Sequence, residues 1–426
     1  MTYPVNNLDD AYNACNPDKP LEVNDSRYLD LKEVRNNQNV STLLRVIKRT
    51  TQTGDFCKQL LTGHTGSGKS TELKRLQSQL EEALYFVVYL DVESSLDLQQ
   101  ITYQDVLLNI AQELVNHLAS TNIELDSSLL NDLQQWFADR IVSEDYVKEV
   151  KASASVSGQA GIDIPFIAKL LTKLTGEIRS GSSRRIEIRQ NIEKEQQSFI
   201  AKLNDLLLAA RIKLKNKEHT DLVIIIDGLE KIKQKNVYDA LFLEHSEQLT
   251  DIDSHTIYTI PAALSFHTNL GNFFSDEAFF IPMVKYETPE GKQRLTELVN
   301  KRLNVAALFE NPLFLDDLIA MCGGSVRDLL RLIRTATDTD SEKIQAEDIA
   351  RAISSLVKVY DRLVWEEDVP LLKKVMIDKR VVKTEDKKYE RLLSNRLIHE
   401  YENGKPWAAL HPALTRITWL QTALSG

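Results

Sequence analysis

The stretch Lys58-Gln-Leu-Leu-Thr62-Gly63-His64-Thr65-Gly66-Ser67-Gly68-Lys69-Ser70-Thr71 decides the architecture of this chain. Its first five residues form a short apolar run suited to a buried strand, and from Ser70 a helical pattern continues to about residue 82. Between them stands G-x-x-x-x-G-K-[ST], whose meaning depends on this strand-to-helix context. Gly63, Gly66 and Gly68 let the loop wrap closely, so that backbone N–H groups from Gly63 through His64, Thr65, Ser67 and the helix start at Thr71 can surround a polyphosphate. Lys69 is placed to reach the β and γ phosphates, and Ser70 to hold Mg²⁺.

Working outward, residues 85–92 (YFVVYLDV) are continuously β-branched and aromatic, as in a strand covered on both faces. Strand, helix and strand in this order build a parallel α/β sheet. Residues 221–227 (DLVIIID) supply its most hydrophobic strand, and 255–260 and 278–284 read as two more. Asp227 ends that hydrophobic run, where a carboxylate can order magnesium and its waters; Glu230, three residues on, can polarise an attacking water.

With these residues the chain resembles the P-loop ATPases of the AAA+ class and their signalling relatives, the STAND ATPases. The resemblance makes 63–70 Walker A and 224–230 Walker B, and it implies ATP or ADP with Mg²⁺ as cofactors. One departure counts: most AAA+ proteins place Glu directly after the Walker B Asp, whereas Gly228 stands here, so slow hydrolysis and a switch-like role are expected. The same resemblance implies three further nucleotide contacts. Thr259 takes the place of a polar γ-phosphate sensor. Arg327, in Gly323-Gly-Ser-Val-Arg327-Asp-Leu-Leu, takes that of the sensor 2 arginine. His411, in Ala409-Leu-His411-Pro, takes that of the histidine that contacts the diphosphate in the resting STAND state.

The rest of the chain divides around this core. Residues 1–50 read as a polar, extended lead-in followed by a helix. The core spans 51–287 and carries a helical, basic insertion at about 100–217. Within it, the Ser- and Gly-rich segment 151–183 reads as mobile around one short apolar helix at 164–174, and a long helix follows over 184–213. A helical lid over 288–357 starts at Thr288-Pro-Glu. Residues 358–426 hold helices and then a hairpin turning at Asn403-Gly404, the pattern of a winged helix.

The 426 residues sum to a formal charge of −10, which argues against wholesale coating of nucleic acid. The charge is unevenly spread: residues 151–217 hold 13 basic against 6 acidic side chains, and residues 358–426 hold 13 against 10. The insertion, with Arg184, Arg185 and Arg189, could bind nucleic acid, provide an arginine finger to a neighbouring subunit, or present a solvated face. Cys15, Cys57 and Cys322 show no disulfide or metal spacing, and no signal peptide or transmembrane run is present, so a cytoplasmic protein is expected.

The expected function is therefore an ATP-driven conformational switch that self-associates and acts with a separately encoded effector or sensor protein, in a setting such as bacterial stress or antiviral defence. The alternatives are an AAA+ loader or initiator that grips nucleic acid, and a nucleotide-dependent scaffold that does not hydrolyse ATP.

Overall fold

The computed structural model describes residues 2–35, 39–155, 164–266, 270–274, 278–382, 388–402 and 405–425. Its centre is a five-stranded sheet: β1 (Lys58–Thr62), β2 (Phe86–Asp91), β3 (Leu222–Asp227), β4 (His255–Thr259) and β5 (Phe279–Phe280), in the order β2-β3-β4-β1-β5. Every neighbouring pair is parallel, and every residue of β1, β3 and β4 is buried. Because side chains alternate along a strand, Ile224 and Ile226 face one core while Val223 and Ile225 face the other. Helices cover both faces, which is why these strands are apolar without interruption.

The fifth strand is shorter than the run 278–284 predicts. Beyond Ile281 the backbone leaves the sheet: Met283 N–H donates to the Glu400 carbonyl and Val284 N–H to that of Gly324. Its donors go to the C-terminal hairpin and the lid instead.

The insertion packs on one face of the sheet. Helix Ile164–Ser180 is longer than expected and buries Ile164, Phe166, Ile167, Leu170, Leu171 and Leu174, lying along helix Tyr103–Ser120. The apolar helix expected at 164–174 is thus present and continues to Ser180; residues 156–163 lie outside the described residues. The single helix expected over 184–213 is two, Ser183–Lys194 and Gln196–Lys215, broken at Glu195.

The lead-in is also corrected. Leu8–Ala14 is a helix capped by the Asn7 side chain, and Ala11, Ala14 and Cys15 are buried against the lid. Lid helices Pro289–Asn300, Phe314–Met321 and Val326–Ala336 are followed by Ala346–Asp361, which runs unbroken past residue 357. Helices Val369–Asp378 and Lys388–Ser394 then lead to an antiparallel pair, β6 (Ile398–Glu402) and β7 (Pro406–Leu410), whose Asn403-Gly404 turn lies outside the described residues. Lid, N-terminal helix and C-terminal segment share one apolar core, distinct from the two beside the sheet.

Candidate nucleotide site

The loop between β1 and helix Lys69–Glu82 is held in a shape that only glycine adopts freely. Gly63, Gly66 and Gly68 have φ of 145°, 94° and 95°. At Gly66 a side chain is excluded twice over, since a Cβ would stand 2.7 Å from Arg327 Cβ and 2.9 Å from Ser325 Oγ. The start of lid helix Val326–Ala336 therefore rests directly on the loop, with Arg327 N–H directed at the Gly66 carbonyl at 3.4 Å.

Lys69 is buried, and its Nζ donates to the carbonyls of Gly63 (2.8 Å) and His64 (3.1 Å), with Glu230 Oε1 at 3.9 Å. Burial pulls its pKa below the ordinary lysine value, against the opposing charges of Glu230 and Asp227. Asp227 lies at the tip of β3, where Tyr89 Oη donates to its Oδ2 at 2.8 Å and the nearby Ser70 hydroxyl favours its charged form. Its buried Oδ1 has no hydrogen-bond partner. Burial first, then the Glu230 charge, raise the Asp227 pKa. A carboxylate with an oxygen to spare beside a hydroxyl fits Mg²⁺, which takes few protein ligands and fills its shell from phosphate and water. Among the described residues no cluster of three or more metal-ligating side chains exists, so the phosphates would have to complete the set.

Around these groups lies a cavity of about 590 Å³, a size that holds a nucleotide. Thr65, Gly66, Gly68, Lys69, Ser70 and Thr71 line it, whereas Gly63, His64 and Ser67 do not. Its apolar end is made by Ala14, Leu29, Leu31, Leu298, Val326 and Leu330, from the N-terminal segment and the lid.

Residues 37–249, half of the chain, match the model of the AAA ATPase domain family. The chain belongs to that family. Among solved structures it is similar to the ORC2 protein of Aeropyrum pernix (11% identity, covering 97% of both chains, TM-score 0.41). It is also similar to a Walker-type ATPase of Pyrococcus abyssi (13% identity, 97% of this chain and 100% of that one, TM-score 0.43). A third likeness is to Cdc6p of Pyrobaculum aerophilum (11% identity, 97% of both chains, TM-score 0.43). No curated protein sequence matches.

In this AAA ATPase the residue after Asp227 stands in a conformation that suits glycine. Gly228 has φ 101°, and a Cβ there would stand 3.3 Å from Val92 Cγ2 and 3.4 Å from Glu93 N. A glutamate at this position would be both strained and crowded. Glu230 instead turns back, its Oε2 accepting from Gly228 N–H at 3.1 Å, and lines the cavity with Asp227.

The other expected contacts divide. Arg327 does line the cavity, where its Nη2 stands 3.4 Å from Asp18 of the N-terminal segment. Thr259 does not: its buried hydroxyl accepts from Leu229 N–H (3.1 Å) and donates to the Ile226 carbonyl (3.3 Å), holding the turn that carries Glu230. His411 is also away from the cavity, fully buried, stacked on Tyr360 at 4.0 Å and 3.6 Å from Asp328 Oδ2. The Arg185 and Arg189 side chains pair with Asp97 and Asp105 of their own chain, and Arg184 with Glu177.

Two contributors escaped the sequence reading. Buried Arg35 donates to the Ser67 carbonyl behind the loop and faces Glu72 at 3.7 Å. The segment 16–31 closes the cavity, with Leu21 N–H on Thr71 Oγ1 (3.3 Å) and Asp30 on Arg75 (3.0 Å). The two prolines and the spaced Leu29 and Leu31 were the available signal, but they carry no period that separates a cavity wall from a linker.

Proposed function

We propose that this chain is an ATP-binding switch of the STAND type that hydrolyses ATP slowly, with the lid and the C-terminal helices and hairpin closed on the phosphate loop in the arrangement seen here. The observation that carries the reading is a double contact on one loop: Arg327 N–H meets the Gly66 carbonyl, and Glu400 N–H donates to His64 Nε2 at 3.1 Å. Both elements touch the loop that would cradle the phosphates, so whatever reshapes that loop changes both contacts. A γ-phosphate that binds the open and closed forms unequally shifts their populations by that difference in affinity.

The roles follow the geometry. Lys69 and the loop amides hold the phosphates, Ser70 and Asp227 hold Mg²⁺, and Arg327 exchanges Asp18 for the γ-phosphate. Bound Mg²⁺ would neutralise charge on the β and γ oxygens. Glu230 receives the proton of the attacking water. Thr259 acts indirectly, by fixing the turn on which Glu230 stands, and His411 serves the closed packing. Opening then exposes surface for self-association or for a partner protein. The nucleic-acid reading draws less support, because Arg185, Arg189, Lys202, Arg211 and Lys213 all pair with acidic side chains of the same chain.

Hydrogen exchange tests the switch. Residues 398–402 and 406–410 are expected to be protected with ADP and to lose protection with a non-hydrolysable ATP analogue and Mg²⁺. Equal protection in both states would contradict the reading.

A further inference from the structure

Helix Tyr103–Ser120 of the insertion buries Leu107, Leu108 and Ile110 in the core, and among them Asn109, which is fully buried. An amide in such a place is costly unless its hydrogen bonds are met. One of them is: Ser95 Oγ donates to Asn109 Oδ1 at 3.0 Å. The Nδ2 group has no partner, and Asn109 lines the same cavity as Lys69, Asp227 and Glu230.

Ser95 and Asn109 are fixed relative to the turn that bears Glu230. The sheet register sets Asp91 beside Asp227, Gly228 packs on Val92 and Glu93, and Lys231 pairs with Glu93. Ser95 closes the short helix Val92–Ser95 that follows. Meanwhile the hydroxyl of Thr259 is fully used within the Walker B turn. A buried donor without a partner, on a residue in the wall of a cavity that also holds Asp227 and Glu230, calls for an acceptor brought by what the cavity binds.

We propose that Asn109 is a positioning residue for hydrolysis, its amide N–H donating to one lone pair of the attacking water while Glu230 accepts that water's proton. The inference rests on the hydrolytic reading above and gives the insertion a part in it. In the step itself the water oxygen forms a bond to the γ-phosphorus as the bond from that phosphorus to the β–γ bridging oxygen breaks. The electron pair leaves on ADP, and the proton passes to Glu230 and then to solvent. Asn109 transfers nothing; it restricts the water to the in-line direction.

Steady-state turnover of Mg·ATP by the full chain tests this, with ADP affinity and melting temperature measured alongside. Asn109→Leu keeps the branched shape and removes the donor, and is expected to lower kcat roughly tenfold or more with KM and ADP affinity unchanged within about twofold. Ser95→Ala, which frees the amide to rotate, is expected to lower kcat several-fold in the same pattern and carries the test if Asn109→Leu does not fold. Unchanged kcat in the folded variants would overturn the proposal, as would losses of kcat, ADP affinity and melting temperature together, which mark a structural role. Glu230→Gln separates the two readings: if it loses turnover while Asn109→Leu retains it, only this inference fails. If the wild type binds ATP and turns none over, the hydrolytic reading fails and this one with it.

Discussion

The backbone N–H of Glu400 donates to His64 Nε2 at 3.1 Å, joining the hairpin to the loop that follows β1 across 336 positions of sequence. The Glu400 carboxylate stands 3.3 Å from the same nitrogen, and the His399 ring lies 5.6 Å from that of His64. His399 Nδ1 and Tyr401 Oη both meet the Gly323 carbonyl at the entry to the lid helix that carries Arg327. Loop, hairpin and lid thus meet around one histidine.

His64→Ala removes the acceptor and leaves the Glu400 N–H without a partner in the closed form. Loss of one such bond is worth ~1 kcal/mol, so ADP should dissociate about fivefold faster. Stopped-flow release of a fluorescent ADP measures it; an unchanged rate would separate the hairpin contact from nucleotide retention.

Gly66→Ala should cost about 1–3 kcal/mol in backbone strain alone, before the clash with Arg327 is counted. The lid cannot then seat on the loop. Both the melting temperature and ATP affinity are expected to fall, whereas Ala at Gly176, inside a helix and where a Cβ meets nothing within 4 Å, should leave ATP affinity unchanged and raise the melting temperature slightly.

Asp328 is the buried anion of the lid. Arg396 donates to it at 3.0 Å, Tyr360 Oη at 3.1 Å, and His411 lies within 3.6 Å. Burial alone would raise its carboxyl, but the Arg396 charge and the His411 ring outweigh this and hold it well below the usual range. Asp328→Ala leaves Arg396 uncompensated and should cost about 3–5 kcal/mol of stability, read by urea denaturation.

Acid should weaken the same cluster. Burial holds His399 and His411 below the ordinary histidine value, so the unfolded chain binds more protons. Their contribution is complete above about pH 6.5 and is lost as pH falls, at up to about 1.4 kcal/mol per unit for each ring. Asp328, depressed likewise, adds its own loss only near and below about pH 3.9. Denaturation at pH 7.5, 6.5 and 5.5 should show stability changing little between the first two and falling clearly between the last two; a flat profile would mean that these rings do not titrate with unfolding.

Much of this architecture was legible because its signals are local. The glycine spacing at 63–68 and the run 222–226 mark strand, loop and strand tip within a few residues each. What was not legible depends on partners distant in sequence. Nothing near Thr259 says that its hydroxyl is used by Leu229 and Ile226, and nothing near His411 says that Asp328 and Tyr360 surround it. Asn109 reads as one polar residue in an apolar helix until the fold brings it to the cavity. Residues 16–31 read as a linker because a cavity wall in extended conformation has no period.

The central claim is that the loop at 63–70 holds nucleotide phosphates through Lys69. Calorimetric titration of the full chain with Mg·ATP, wild type against Lys69→Ala, tests it most directly. The account predicts saturable binding by the wild type and at least a hundredfold weaker binding by a variant that remains folded. Equal affinity in the two proteins would contradict it.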